Sequence, residues 1–489
     1  MPARTLANTL MRTARCVLCA AMLVVSVPAA LAADMGPSPQ GSYAIVVSNK
    51  TYADKDWREV AETLKAKYGS RIITWDSGVA EAGKDLAAWM PNYACFVAQP
   101  EEADRDFVVA VHRLTRRLND DPYTDCLWGI LTGYTADDAL RLAREAKPLV
   151  LKKCLSGTIG GQLGPFEEGV TFDEGKAGDM VAKTADGKVE QKGCPADSTK
   201  SIADYFSTQK PDCFITSGHA SQHDWQIGYS FPGGRLAHKD GQLLALDAQG
   251  RRYNITSPNP KVYLPVGNCL IGDIPGRDCM VTSLIHSAGV HQMFGYVVPT
   301  WYGRGGWGIQ EYYLGQPGRF TLAEAFFANT QAMLYDLQMR FPEATNVDFE
   351  KYDLEKDPKL FATLAARHGI NGRDELGLLW DRDTVAFYGD PAWQARPATR
   401  NLAWEQEVSV KDNRYTFTVT ARQDGKWPGK PLVQLLPERL KNMKVVEGAD
   451  RSPVVTSSFI LLPLKGDFKS GDKVQIVLEA EPLRPSRLP

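Results

Sequence analysis

The stretch SYAIVVSNKTYADKDWREVAETLKAKYGSRIITWD carries two hydrophobic periods in turn. An apolar run from Tyr43 to Val47 is followed by Trp57, Val60, Ala61 and Leu64 at the spacing of one helix face, and then by a second apolar run from Ile72 to Trp75. Apolar runs flanking a helical stripe predict a βαβ unit, whose strands lie parallel because the helix carries the chain back between them. The pattern recurs in YACFVAQP before EEADRDFVVAVHRLTRRL, where Phe107, Val111, Leu114 and Leu118 share a face, and in DCLWGILTG before TADDALRLAREA. Repeated alternation predicts an α/β fold built on a parallel sheet. In an open sheet of this kind, reactive groups gather beyond the carboxyl ends of the strands.

Residues 155–200 turn rich in Gly, Lys and Asp with little periodicity, which predicts loops. Order returns with DCFITSGHASQHDW, KVYLPVGNCLIG, the helix DCMVTSLIHSAG, the strand VHQMFGYVVPTW and the amphipathic TLAEAFFANTQAMLYDLQMRF, and the α/β part closes near DTVAFYGDPAW. Beyond Pro397 there is no cysteine and no helical period, and RYTFTVTA, SSFILLPL and DKVQIVLEA alternate with turn residues, as in a small β-sandwich. The expected organisation is a leader over 1–33, an N-terminal α/β subdomain over 34–145, a second α/β subdomain over 146–397 and a β-sandwich over 398–489.

The leader follows from Arg4, Arg12 and Arg15, the apolar run Cys16 to Val27, and the small-residue stretch AALAAD. That is the form of a secretory signal peptide cleaved near Ala33 or Asp34, and the run falls short of the roughly 20 residues a membrane helix needs. An exported chain, periplasmic or extracellular and without a membrane span, is expected. Its 56 basic and 58 acidic residues are interspersed, so neither a nucleic-acid stripe nor a polybasic membrane patch is expected. Cleavage leaves Cys95, Cys126, Cys154, Cys194, Cys213, Cys269 and Cys279. In an oxidising compartment up to three disulfides form from such a set, and the odd number leaves one thiol over.

Two segments share a grammar. CFITSGHAS and VYLPVGNCLIG are apolar strands ending in small residues and then a base, His219, or a nucleophile, Cys269. If both strands belong to one parallel sheet, the two residues face one cleft as a Cys/His dyad. The thiolate is the reactive form of cysteine and a nearby imidazolium favours it, while the same histidine protonates a leaving amine. The backbone N–H groups of Cys269 and Ala220 are placed to stabilise a tetrahedral oxyanion, and Gly218 and Gly272 allow close backbone approach.

These residues carry a resemblance to the gingipain family of cysteine peptidases, within the caspase, legumain and gingipain group. YAIVVSNKTYADKDWREVAETLKAKYG resembles the family's opening strand and helix, and PNYACFVAQPEEADRDFVVAVHRLTRRL the strand, loop and helix that follow. ITSGHASQHDW resembles its histidine motif, GNCLIG its cysteine motif, GYVVPTW its strand ending in tryptophan and FYGDPAW its closing element, so the likeness runs from about Tyr43 to Trp393. About 50 residues between histidine and cysteine is also the caspase spacing. The resemblance implies a caspase-like parallel-sheet catalytic region in two subdomains followed by an immunoglobulin-like β-sandwich. It further implies a cysteine endopeptidase acting on polypeptides through an acyl-enzyme. Trp301 is either buried core or, as the resemblance implies, a wall of the substrate pocket. The chain departs from the family pattern at Ala220, where the motif has glycine, and at Asn268, where the residue before the thiol is usually alanine. Asn268 is expected to narrow the floor beside the sulfur. These departures motivate the alternative of a catalytically silent relative that binds peptides or cell-surface partners.

Two further motifs bear on metals and cofactors. His219 and His223, four apart with Asp224 adjacent, lack the glutamate of HExxH and a third ligand, so no metal site is expected. GRGGWG, Gly303 to Gly308, fits a dinucleotide fingerprint in form only, since it lies late in the fold with a bulky Trp307 inside it. No cofactor is required by any motif, and a structural calcium site does not follow from the residues.

Overall fold

The computed structural model describes residues 42–483, apart from 160–162 and most of 343–372; the expected signal peptide lies outside the described residues. The chain opens with β1 (Tyr43–Ser48), α1 (Lys55–Tyr68), β2 (Arg71–Trp75), β3 (Tyr93–Val97), α2 (Arg105–Thr115), β4 (Leu127–Leu131) and α3 (Ala136–Arg144). Helix α1 starts where the Asp54 carboxylate accepts the amides of Asp56 and Trp57, and it buries Trp57, Val60, Ala61 and Leu64. These are the residues of the helical stripe. All six residues of β1 are buried, each large aliphatic contributing about 1.5–3 kcal/mol.

The chain continues through β5 (Lys153–Gly157), β6 (Glu168–Phe172), β7 (Asp179–Lys183), β8 (Val189–Gly193), α4 (Thr199–Gln209) and β9 (Cys213–Thr216). A meander follows: β10 (Asp224–Gln226), β11 (Arg235–Lys239), β12 (Gln242–Leu246) and β13 (Arg252–Asn254). Then come β14 (Lys261–Pro265), α5 (Met280–Ala288), β15 (Val290–Tyr296), α6 (Gly306–Tyr313), α7 (Leu322–Arg340) and β16 (Val385–Tyr388).

One sheet of order β2-β1-β3-β4-β16-β15-β14-β9-β5-β6-β7-β8 spans the α/β part. It is mixed: β16 runs antiparallel to β15, and β6-β7-β8 form antiparallel hairpins at one edge. These hairpins correct the expectation of loops over 155–200. The outermost strand, VEQKG, is polar, lysine-bearing and exposed at the sheet margin, where charge blunts edge-to-edge pairing, while DMVAK beside it is half-buried. Strand β16 joins the two halves, lying between β4 and β15 with every residue buried.

The last part packs a sheet of β17 (Trp404–Lys411), β18 (Arg414–Ala421), β23 (Lys473–Pro482) and β20 (Leu440–Glu447) against one of β19 (Leu432–Leu435), β22 (Phe459–Leu462) and β21 (Val454–Val455). Tyr415, Phe417, Leu432, Ile460 and Ile476 fill the space between them. The sandwich is fastened to the α/β part: Phe459 meets Tyr123 and Phe327 edge-on, and the buried Arg439 donates to the carbonyls of Pro91 and Asp125.

Candidate active site

Strands β9 and β14 are parallel neighbours in register, Thr216 opposite Pro265. Both chains therefore leave the sheet at the same level, one toward His219 and the other toward Cys269. Asn268 ties the two departures together. Its Oδ1 accepts the Thr216 hydroxyl at 2.6 Å and its Nδ2 donates to the Gly218 carbonyl at 3.1 Å. Because the side chain is fully buried and turned toward β9, it does not narrow the floor beside the sulfur as expected; it bridges the histidine and cysteine loops. Tyr263 extends the bridge, its hydroxyl 2.8 Å from that of Thr216.

The histidine loop is rigidly held. Trp225 is buried and donates from Nε1 to the Ser217 carbonyl, the Gln226 amide donates to the His219 carbonyl, and the Ser221 amide donates to the Asp224 carbonyl. Gly218 has φ +89°, a conformation a side chain rarely adopts, so the glycine before His219 is required by the backbone. The imidazole of His219 is exposed and stacks on Tyr229, ring centres 4.9 Å apart.

The cysteine loop turns sharply. Leu270 has φ +56°, uncommon for a branched side chain, and so places the strained residue directly after Cys269. Gly272 passes so close to Gly295 that an added Cβ would lie 2.4 Å from its carbonyl oxygen, as the expectation of close approach at Gly272 requires. Cys269 is half-buried, and its Sγ accepts the Thr300 amide at 3.2 Å while Thr300 Oγ1 donates to the Asn268 carbonyl at 2.9 Å. An N–H aimed at sulfur is best used by a thiolate.

All seven described cysteines are free. Cys279, the nearest in sequence, is buried against Thr282, 3.4 Å from its hydroxyl, and forms no bridge to Cys269.

Trp301 follows the Thr300 contact directly and is half-buried, stacked on Trp380 at 4.5 Å. Trp307, which the sequence marks only as a bulky residue inside GRGGWG, is 39% exposed, and its Nε1 lies 3.2 Å from where a Cβ on Gly267 would stand. The cysteine loop is thus flanked by two tryptophans. The glycines around Trp307 have packing roles: a Cβ on Gly305 would meet Val385 and one on Gly306 the Val266 carbonyl, which accounts for GRGGWG without a nucleotide.

Glu174 was also missed. It is buried beside Gly218, its carboxylate accepts the Gly228 amide at 2.8 Å, and its carbonyl accepts the amides of Tyr229 and Ser230. Burial pushes its carboxyl up to about 8. It holds the turn that presents Tyr229 to His219. No sequence signal marks it, since Asp173-Glu174 reads as a solvated turn.

A cavity of about 660 Å³ borders the histidine loop, lined among others by His219, Ala220, Ser221, Asp224 and Arg235. Neither Cys269 nor Trp301 lines it, so it extends the histidine side of the site. Among the described residues no group of three or more His, Cys, Asp or Glu side chains is arranged to hold a metal ion, and no helix is long and apolar enough to cross a membrane.

No protein-family model matches the chain, and no curated protein matches it. Solved structures similar to it include the arginine-specific cysteine proteinase gingipain R, at 11% identity, covering 88% of this chain and 93% of that one with a TM-score of 0.42. A complex of the pro- and mature domains of the Porphyromonas gingivalis enzyme aligns at 12% identity over 87% and 94% of the two chains, TM-score 0.41. A third structure, described as a protease, aligns at 9% identity over 91% and 98%, TM-score 0.42.

Proposed function

We propose that the protein is an exported cysteine peptidase in which Cys269 attacks the carbonyl of a peptide bond and His219 serves first as acid and then as base. The sulfur adds to the carbonyl carbon, and the developing oxyanion is received by the amides of Cys269 and Ala220. His219 delivers a proton to the departing amine, leaving a thioester. A water molecule, its proton taken by His219, then hydrolyses the thioester and restores the thiol.

The observation that carries this reading is the Asn268 bridge between the loops of a base and a thiol that leave adjacent parallel strands at one level. The Thr300 amide on the sulfur supports it further. A packing thiol needs no such donor. Trp301 is proposed as a wall of the pocket for the residue preceding the scissile bond, with the sandwich as an immunoglobulin-like support. The test is hydrolysis of denatured casein by purified protein under reducing conditions. Cleavage that is lost on alkylation of Cys269 is expected; cleavage unaffected by alkylation, or by Cys269→Ala, would refute the assignment.

A further inference from the structure

His223 lies at the tip of the histidine loop, but its imidazole turns toward the meander and not toward His219. Its Nδ1 stands 3.2 Å from Nε2 of His238, on β11. Two ligand nitrogens about 2.0–2.1 Å from a tetrahedral zinc ion stand about 3.3 Å apart, so this separation is the bite of a bis-imidazole chelate. Imidazole pairs suit zinc, nickel and copper, and exclude the hard oxygen-seeking cations.

We propose that His223 and His238 form a binding site for a divalent transition-metal ion, separate from the Cys269–His219 pair. Without metal, one proton shared between Nδ1 and Nε2 holds the rings together. On binding, both nitrogens present lone pairs: the proton of His223 Nδ1 exchanges through water to Nε2 of the same exposed ring, and His238 keeps its proton on the buried Nδ1, so each imidazole stays neutral. Two carboxylates stand near the pair: Asp224 is the next residue to His223, and Asp224 and Asp278 both act on His238, more weakly than its burial and the neighbouring His223, which disfavour positive charge on that ring. Arg235, 3.9 Å from Asp224, offsets that carboxylate in part.

No third protein ligand completes the set among the described residues, so water fills the remaining positions and the ion exchanges readily. The consequence is mechanical. Ser221 and Asp224 close the turn that carries His223, and the Met280 amide at the start of α5 holds the Gln222 carbonyl at 2.8 Å. A metal at His223 and His238 therefore clips the histidine loop to β11.

The experiment is calorimetric titration of Zn²⁺ and, separately, Ni²⁺ into the mature full-length chain carrying Cys269→Ala, which removes the competing nucleophilic thiol, with thermal melts in parallel. One equivalent is expected to bind with Kd of about 10 μM or tighter and to raise Tm by at least about 2 °C. His223→Gln and His238→Gln each weaken binding at least about 10-fold, while His219→Ala leaves it unchanged. His223 is exposed, so its replacement keeps the fold and the test stands even if His238→Gln is unstable. Absence of binding, binding insensitive to either glutamine variant, or binding lost with His219→Ala would each overturn the proposal.

Discussion

Cys95 and Cys269 occupy the same sheet in opposite circumstances. Cys95 lies within β3, flanked in register by Ile45 and Gly129, fully buried, and burial pushes its thiol well above the ordinary range. Cys269 lies beyond the end of β14, half-buried, with an amide on its sulfur and a strained residue behind it. The difference lies in position along the strand and not in residue type. Inside the sheet a thiol is a small apolar group; past the carboxyl end it meets backbone donors and a second loop. Cys213 makes the point within one segment, since it starts the strand that leads to His219 yet is buried in the core.

The largest expected effect separates these two thiols directly. Cys269→Ala should lower kcat/KM on a peptide substrate at least about 10³-fold, whereas Cys95→Ala should leave activity intact and cost about 1 kcal/mol of stability. In native protein, iodoacetamide should modify Cys269 and spare Cys95, as read by peptide mapping. Equal labelling of the two would break the comparison.

Next in size is the bridge. Asn268→Ala leaves the Gly218 carbonyl without its side-chain donor, so the loops of base and thiol lose their common fixing. A fall in kcat of about 10- to 100-fold is expected, with KM little changed, together with about 1–3 kcal/mol of lost stability. Retained kcat would mean that strand register alone aligns the pair.

The tryptophans beside the cysteine loop sharpen the comparison from the substrate side, because Cys95 has no exposed aromatic neighbour role to test. Trp307→Ala should raise KM several-fold with little change in Tm, since the ring is partly exposed. Trp301→Ala should impair turnover and also lower stability by about 1 kcal/mol through loss of the stack on Trp380. A peptide library showing unchanged kinetics for both variants would remove them from the pocket.

The smallest effect concerns Glu174. Its carboxyl titrates near 8 in the folded chain against an ordinary value of 4.5, so the folded state retains a proton that the unfolded chain releases. Stability from this group is fully present below about pH 4.5 and is lost as pH rises to about 8. Glu174→Gln keeps an acceptor for the Gly228 amide without the charge. Its unfolding free energy should match the parent's near pH 4.5 and exceed it at pH 8, by at least about 1 kcal/mol. A parallel pH dependence in both proteins would assign the proton elsewhere.

Much of this architecture was legible in the residues. The stripe Trp57, Val60, Ala61 and Leu64 is the buried face of α1, and the long segment expected to be amphipathic is α7, begun by the Thr321–Glu324 capping box but buried on nearly every side from Leu322 to Leu334. Such elements are local, fixed by periodicity and by caps a few residues away. The hairpins β6 to β8 were not legible, because their short strands lie among Gly, Lys and Asp, only the outermost is a polar edge, and each pairs with a neighbour that sequence spacing does not announce. Glu174 and Tyr229 were missed for a related reason: their link to His219 crosses the fold through backbone amides, which carry no sequence signature.

By itself the sequence determined the opening strand and helix repeats, that His219 and Cys269 each follow an apolar strand, and that glycines flank both. Only the tertiary structure decided that those strands are neighbours in register, that Asn268 spans the gap between their loops, and that the Thr300 amide meets the sulfur. The division has a physical cause. Hydrophobic period and turn chemistry act over a few residues and are written along the chain, whereas the partner of a buried amide, hydroxyl or thiol is set by which distant segment the packed core brings within about 3 Å.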